Sequence, residues 1–261
     1  MVDVISSIGK AGLSTIRYLR ETLSFAFSII TKLVDRRMYN SAMRMVLVHQ
    51  IYFTSLQILP LFIAVSVIFG SLLIGIVLQG LKSFGLTSYL GHILVGFVVT
   101  EVSPFVTVLL VALRSGSAIN TEIAVMKVSK ELRTLEAFNI DLINYLFLPR
   151  IVGGIVSVVL LSGLFSIVVL LSGLVYSKAI LGMSVDAYTS VLVDAVQFSD
   201  VIILLLKCCT FGFFIILIPI RSGLSASNEL TSVPIAVLNG MVKVFTAIVI
   251  IEVLSLIIRF I

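Results

Sequence analysis

Long apolar runs alternate with shorter polar segments along this chain of 261 residues. The stretches 51–81 and 151–177 contain no acidic or basic residue. A membrane-spanning helix needs about 20 consecutive apolar residues, whereas a β-barrel strand needs about 10 with strict alternation. Because both stretches are continuous rather than alternating, the pattern predicts an all-α fold, a polytopic membrane helical bundle.

Five runs are long enough to span a membrane. They are predicted at about 51–80, 93–113, 151–177, 201–220 and 236–258. The first run exceeds the usual length and contains Pro60, Gly70 and Gly75. A tilted, kinked or partly re-entrant helix is therefore expected there.

The N-terminal segment is predicted as a separate amphipathic helix, with region 1–44 preceding a membrane domain at 45–261. Its apolar residues recur at steps of three and four: Ile5, Ile8, Gly12, Ile16, Leu19, Leu23, Phe27 and Ile30. An apolar stripe with basic flanks favours an interfacial helix in the headgroup layer, and packing on a soluble partner is the alternative. No cleavable signal peptide is expected, since charges interrupt residues 1–40.

Composition excludes a soluble domain. Apolar residues make up 59% of the chain and charged residues 12%, whereas a soluble domain carries about 25% charged residues. The net charge of +5 does not indicate nucleic-acid binding, because the basic residues are dispersed beside the membrane, where anionic headgroups account for them.

Lysine and arginine are distributed unequally between the two sides of the predicted bundle. Residues 1–44 carry seven and the insert 114–150 carries five, whereas the opposite side holds only Lys82, Lys178 and Arg259. Basic residues accumulate in cytoplasmic loops. The N-terminus is therefore predicted to be cytoplasmic and, with five spans, the C-terminus to lie outside.

The insert 114–150 is the one long polar segment between spans. Within it an apolar face, formed by Val128, Leu132, Leu135 and Phe138, is surrounded by charged residues. A short helix of this kind can dock into a partner's groove, or it can fold back on its own bundle. The pattern alone leaves both open. At its start, residues 114–117 are expected to form a turn at the end of a helix.

Motifs for catalysis or metal binding are missing from the sequence. His49 and His92 have no acidic or cysteine companions at ligand spacing, and Cys208 and Cys209 are adjacent rather than separated. No G-x-x-x-x-G-K-[ST] and no G-x-S-x-G occurs. We expect no enzyme activity, no metal and no cofactor in this chain, so ATP with Mg²⁺ would be bound by a separate chain.

A series of short motifs occurs in a fixed order: Glu101-Val-Ser-Pro104, Leu113-Arg-Ser-Gly-Ser-Ala118, Glu122, Met126, Leu135-Glu-Ala137, Asp141 and Leu148-Pro-Arg150. This series resembles the signature of the MlaE-type (YrbE-like) ABC transporter permeases. Leu78-Gln-Gly80 and Lys207 extend the resemblance more thinly.

The resemblance implies a permease subunit of an ATP-driven transporter. It would move phospholipids between the bacterial inner membrane and a periplasmic lipid carrier, for outer-membrane lipid asymmetry. It implies a homodimer, two cytoplasmic ABC ATPase subunits and a periplasmic MCE-type lipid-binding hexamer as partners, with the chain as a multi-pass inner-membrane protein.

The resemblance also implies site residues. The insert would be the coupling helix that contacts the ATPase through Glu131, Leu132, Leu135, Glu136 and Phe138. The substrate-binding candidates are Gln79, Glu101 and Lys207.

Physical reasoning leaves the role of these substrate-binding candidates open. An unpaired charge within a span costs several kcal/mol, so Glu101 and Lys207 are either a structural ion pair or residues that line a lipid cavity. Gln79 could equally be a polar cap at a helix end. Glu252 and Arg259 are interpreted as interfacial anchors.

Departures from the family pattern bear on the site. The family usually has Arg-Glu-Leu-Gly-Pro where this chain has Thr100-Glu-Val-Ser-Pro104, so the arginine is missing at Thr100. The segment 225–234 also matches poorly.

Two alternatives remain: a self-sufficient secondary transporter that uses Glu101 and Lys207 as a proton-coupled pair, and a non-transporting membrane anchor.

Overall fold

The computed structural model describes residues 20, 22, 24–32 and 41–260, and these described residues contain helices and no strand. We label the helices along the chain as α1 (Met43–Ser83), α2 (Thr87–Val128), α3 (Glu131–Ala137), α4 (Ile143–Leu181), α5 (Val185–Ala195), α6 (Phe198–Leu224) and α7 (Ser232–Phe260).

Five of these helices, α1, α2, α4, α6 and α7, are long and apolar enough to cross a membrane. The predicted five-span helical bundle is therefore confirmed. Each helix is longer than the run that predicted it, and α2 reaches Val128 rather than ending near 113. The predicted runs end where the hydropathy falls at the membrane boundary. The helices extend further, because backbone hydrogen bonds continue into water wherever the residues have sufficient helix propensity.

Helix α4 lies at the centre of the bundle, with α1 and α6 packed against it, and α6 also contacts α2 and α7. Glycines allow the closest approach. A Cβ on Gly212 of α6 would lie 2.6 Å from the Ile155 Cα of α4, and a Cβ on Gly154 would lie 2.3 Å from a side-chain atom of Ile216. Small residues at such contacts let helices approach closely in lipid.

Buried serines join α2 to α4. The Ser103 hydroxyl donates to the Ser162 carbonyl oxygen at 2.6 Å, and the Ser166 hydroxyl donates to Ser103 Oγ at 2.9 Å. All three side chains are buried. These bonds satisfy hydroxyl groups that would otherwise be unpaired in a low-dielectric interior, and they fix the position of α2 against α4.

A wide helical turn in α2 precedes Pro104. Residues Leu94–Val102 are π-helical, and a regular α-helix begins again at Ser103. Proline has no N–H to donate, and its ring clashes with the carbonyl four residues earlier. The wider turn accommodates this local defect, and π-helical segments of this kind are frequent at functional sites.

The insert differs from its prediction in two respects. Residues 114–117 are not a turn, because Ala112–Gly116 is a π-helical part of the continuous α2. The expected apolar face is also wrong. The backbone turns at Lys130, which has a φ of +63°, so Val128 lies on α2 and not on α3. Leu132 is buried, whereas Phe138 is 73% exposed.

Most of the predicted N-terminal helix lies outside the described residues. Residues 24–32 are helical, and Ala26 and Ile29 are buried against the bundle whereas Phe27 and Ile30 are exposed. Lys32 Nζ donates to Asp141 Oδ2 at 2.5 Å. Partial burial raises the pKa of Asp141, but the hydrogen bond and charge of Lys32 and the Ile143 N–H outweigh it and hold that pKa below its usual value.

The contact between α4 and α6 predicts the effect of a single methyl group. Gly212→Ala should lower the stability by about 1–3 kcal/mol, because its Cβ would collide with backbone and not with a movable side chain. Thermal unfolding of the detergent-solubilised protein measures this. Gly163→Ala is the matched control, since no atom lies within 4 Å of its Cβ position. Equal unfolding temperatures for the two variants would contradict the close packing.

Candidate functional site

Glu101 of α2 and Lys207 of α6 form a buried ion pair. Lys207 Nζ donates to Glu101 Oε2, and the two residues are only 4% and 5% exposed, respectively. Glu101 lies in the π-helical segment of α2. The structure thus brings together two of the three predicted substrate-binding residues.

Helix α7 adds two charged residues to this pair. Lys207 Nζ also donates to Glu252 Oε1 at 3.0 Å, and Arg259 Nη1 donates to Glu101 Oε1 at 2.6 Å. Arg259 Nη1 donates to Thr100 Oγ1 at 2.5 Å as well. The interpretation of Glu252 and Arg259 as interfacial anchors is therefore wrong, because both belong to one network with the buried pair.

We call Glu101, Lys207, Glu252 and Arg259 the ion network. It holds two carboxylates and two cations, so its formal charge is zero. Breaking one buried pair would leave an uncompensated charge, which costs about 3–5 kcal/mol. The network therefore constrains the positions of α2, α6 and α7 relative to one another.

The sequence contained a signal for the two residues that the interpretation missed. Glu252 lies inside an apolar run and Arg259 follows seven residues later, which is two helical turns. Residues at this spacing share one helix face, so a carboxylate and a guanidinium on α7 both face α2 and α6. An ionisable residue within a span is by default a candidate for function.

A groove between α6 and α7 runs beside the ion network. It has a volume of about 610 Å³, and Lys207 and Arg259 are among its lining residues. Its other walls are mostly apolar and include Leu206, Phe214 and Ile251. An apolar cleft with a few charged groups is the usual form of a small-molecule site, for which volumes of about 300–1,000 Å³ are typical.

The remaining predicted residues lie elsewhere. Gln79 is exposed on α1, and in the described part of the chain no hydrogen bond joins it to the ion network. On α3, Glu131 and Glu136 are exposed, Leu132 is buried and Leu135 is half-buried. The exposed Phe138 follows the last residue of α3.

Among the described residues, no group of three or more histidine, cysteine, aspartate or glutamate side chains is placed to hold a metal ion. Cys208 is buried and Cys209 is exposed, and both thiols are free. The groups that the structure places at the site are the charged side chains of the ion network and the apolar walls of the groove.

Comparison with known proteins identifies the family. The family described as Permease MlaE matches residues 47–258, which include three of the five spans completely and all but the outer ends of the first and last. This chain belongs to the MlaE permease family. It is accordingly a multi-pass membrane protein and a permease.

Individual relatives agree with this assignment. The intermembrane phospholipid transport system permease protein MlaE of Haemophilus influenzae is 28% identical over 227 residues, which cover 85% of this chain and 84% of that protein. A probable ABC transporter permease protein of Rickettsia felis is 25% identical over 223 residues, with 85% of each chain covered. One from Synechocystis is 30% identical over 145 residues, or 56% of this chain and 55% of that protein.

Arg259 bears on the departure from the MlaE-type pattern at position 100. This chain has Thr100 where the pattern has an arginine. The guanidinium of Arg259 nevertheless donates to both the Thr100 hydroxyl and the Glu101 carboxylate. Gly96 leaves room for it, since a Cβ at that position would lie 3.1 Å from Arg259 Nη2. We therefore hypothesise that the guanidinium beside Glu101 has been relocated from position 100 of α2 to Arg259 of α7.

This relocation predicts a change of sign in a double-mutant cycle. Thr100→Arg should destabilise the protein, because a third cation would crowd the ion network. In an Arg259→Gln background, which should itself lower stability by about 1–3 kcal/mol, the same change should restore stability. Thermal unfolding in detergent measures all four proteins.

The control is Arg133→Gln, which removes an exposed arginine outside the network. It should leave the unfolding temperature almost unchanged. If Thr100→Arg has the same effect with and without Arg259, the two positions are not coupled and the relocation is refuted.

Proposed function

We propose that this MlaE-family protein is the permease subunit of an ATP-driven ABC transporter that moves phospholipids. The proposed route joins the bacterial inner membrane to a periplasmic lipid carrier and serves outer-membrane lipid asymmetry. The observation that carries the proposal is the ion network in the wall of an apolar groove. The name of the Haemophilus relative, a phospholipid transport permease, supports it.

The groove suits the parts of a phospholipid. Its apolar walls would take an acyl chain, and Lys207 and Arg259 would face the phosphate. Glu101 and Glu252 hold these cations in place and could meet the ammonium group of a zwitterionic headgroup. Gln79, exposed on α1, would be a further polar contact if the cavity extends to a second copy of the chain.

A homodimer is the assembly we propose. Helices α7 and α1 bury smaller shares of their spans than α2, α4 and α6 do, so they leave apolar faces uncovered within one chain. Helix α7 also carries half of the ion network. A second copy against these faces would enclose the groove and complete a lipid cavity between the two permeases.

ATP and Mg²⁺ would be bound by separate cytoplasmic ATPase subunits that dock on α3. The exposed Glu131, Glu136 and Phe138 would contact the ATPase, whereas the buried Leu132 and half-buried Leu135 hold α3 against the permease. Helix α2 continues from Val128 back to Glu101, a distance of about 40 Å. A movement at α3 would thus reach the ion network through one helix.

The charge distribution sets the proposed orientation. Region 1–44 and the loop around α3 would be cytoplasmic, and α5 and the C-terminus would face the periplasm. The groove then lies near the periplasmic ends of α6 and α7. An MCE-type lipid-binding hexamer on that side would receive lipid from the dimer or deliver lipid to it.

Transport by the reconstituted complex tests this proposal. Movement of a fluorescent phospholipid between vesicles and the lipid carrier should require ATP. Glu101→Gln should slow it at least about tenfold, because a charge-assisted hydrogen bond is lost. Glu229→Gln, which changes an exposed carboxylate, should not slow it.

Two results would favour the alternatives. Lipid transport by the lone chain along a pH gradient would indicate a secondary transporter that uses Glu101 and Lys207. A pull-down from native membranes with no phospholipid bound would indicate a non-transporting anchor. Mass spectrometry of the same pull-down identifies the protein partners.

Two exposed phenylalanines at opposite ends of the bundle test the docking. Phe138→Ala should reduce ATPase binding about tenfold, because an exposed aromatic side chain at an interface centre typically contributes 1–3 kcal/mol. Phe84→Ala is the matched control, since Phe84 is 79% exposed and follows the last residue of α1 on the predicted periplasmic side. Binding is measured on the purified complex. Equal binding by the two variants would mean that the ATPase does not dock at Phe138.

A further inference from the structure

A second cavity lies at the opposite end of the bundle from the ion network. Its volume is about 730 Å³, and it is lined by the first turns of α1, the later half of α2 and the first turns of α4. Two arginines, Arg114 and Arg150, line it together with Glu122, Gln50 and Phe53. Arg114 on α2 is 13 residues from Glu101, or about 20 Å along the helix.

One guanidinium nitrogen of each arginine has no hydrogen-bond partner among the described residues. Arg150 is 7% exposed, and its Nη2 donates to Glu122 Oε1 at 2.6 Å. Its Nη1 is buried without a partner among the described residues, and so is Nη1 of Arg114. An unpaired buried donor on a charged group is costly, and most such groups in folded proteins are paired. Each arginine therefore keeps one guanidinium nitrogen for a further acceptor.

The charges around the cavity indicate which charge the further acceptor carries. Two guanidinium groups face one carboxylate, and Glu122 is half exposed, so solvent screens part of its charge. A positively charged cavity with free guanidinium donors selects an anion, and a guanidinium fits phosphate in two-point contact.

We propose that this cavity binds the phosphate group of a phospholipid in the adjacent leaflet, which the charge distribution predicts to be the cytoplasmic one. Lipid is favoured over free phosphate because Met45 and Phe53, which also line the cavity, are exposed apolar residues of α1. The phosphate would meet Arg114 and Arg150 while an acyl chain runs along these side chains. The Arg150–Glu122 pair need not break, since Nη1 is the free donor.

The proposal is independent of the transport function, since the cavity and the groove share no lining residue. A lipid held here contacts α1, α2 and α4. It would therefore act on the bundle near α3 and not in the translocation groove. The test uses the full chain without ATPase or lipid carrier, so its failure leaves the proposed transport function untouched.

A fluorescence experiment can measure the binding directly. The chain contains no tryptophan, so Phe53→Trp places a single reporter at the cavity. The detergent-solubilised protein is titrated with brominated phosphatidylglycerol, which quenches tryptophan on contact. Brominated diacylglycerol, which has the same chains without phosphate, is titrated in parallel. We expect saturable quenching by phosphatidylglycerol at concentrations where diacylglycerol quenches little.

Two matched variants assign the binding to the cavity. Arg114→Gln in the Phe53→Trp protein should weaken phosphatidylglycerol binding about tenfold, because a charge-assisted hydrogen bond is lost. Arg133→Gln, which changes an exposed arginine outside the cavity, should leave it unchanged. Arg114 makes no ion pair within the described part of the chain, and thermal unfolding checks that its variant remains folded.

Four outcomes would overturn the proposal. Equal quenching by the two lipids would mean an apolar groove without phosphate recognition. Equal affinities of the Arg114→Gln and Arg133→Gln variants would mean that the cavity arginine does not contact the lipid. Inorganic phosphate that displaces the lipid at equal concentration would mean a simple anion site. No quenching by either lipid would mean that another part of the protein, or a second copy, covers the cavity.

Discussion

The structure depends on one constraint, that a charge inside the membrane must be compensated by another charge at contact distance. Glu101, Lys207, Glu252 and Arg259 meet this constraint across three helices. Since each cation contacts a carboxylate on another helix, none of the three helices can shift without separating a pair. The same constraint explains why the site is polar, whereas the closest contacts of α4 with its neighbours are made by glycines and serines.

Helix α2 connects the features that the function needs. It carries Thr100 and Glu101 in its π-helical part, Ser103 against α4, and Arg114 beside the second cavity, and it ends next to α3. One continuous helix joins these positions, which makes α2 a candidate path for coupling between them. A permease that opened at one end while docked at the other would need such an element, and α2 is the one helix that touches each site in the described structure.

The sequence predicted the five spans because hydropathy is a local sum over about 20 neighbouring residues. The sequence also singled out Glu101 and Lys207 as candidate site residues, because a charged residue within an apolar run can be recognised from the sequence alone. It did not predict that Glu252 and Arg259 join them, since that contact depends on how α7 is rotated against α2 and α6. The apolar face assigned to Val128, Leu132, Leu135 and Phe138 failed for a different reason, because the chain turns at Lys130 and breaks the helical spacing.

Arg259 shows that a contact expected from a sequence motif can be made by a residue outside that motif. The free energy of an ion pair depends on the distance between the two charges. A cation at the required position can therefore come from a residue on either of two helices in contact. A cation can therefore leave position 100 while Glu101 keeps a guanidinium partner, provided that a neighbour such as Gly96 leaves room for the longer reach. Arg114 and Arg150 give a second example, since each has a guanidinium nitrogen without a partner in the described part of the chain. Neither the motifs nor their spacing reveals these unpaired donors.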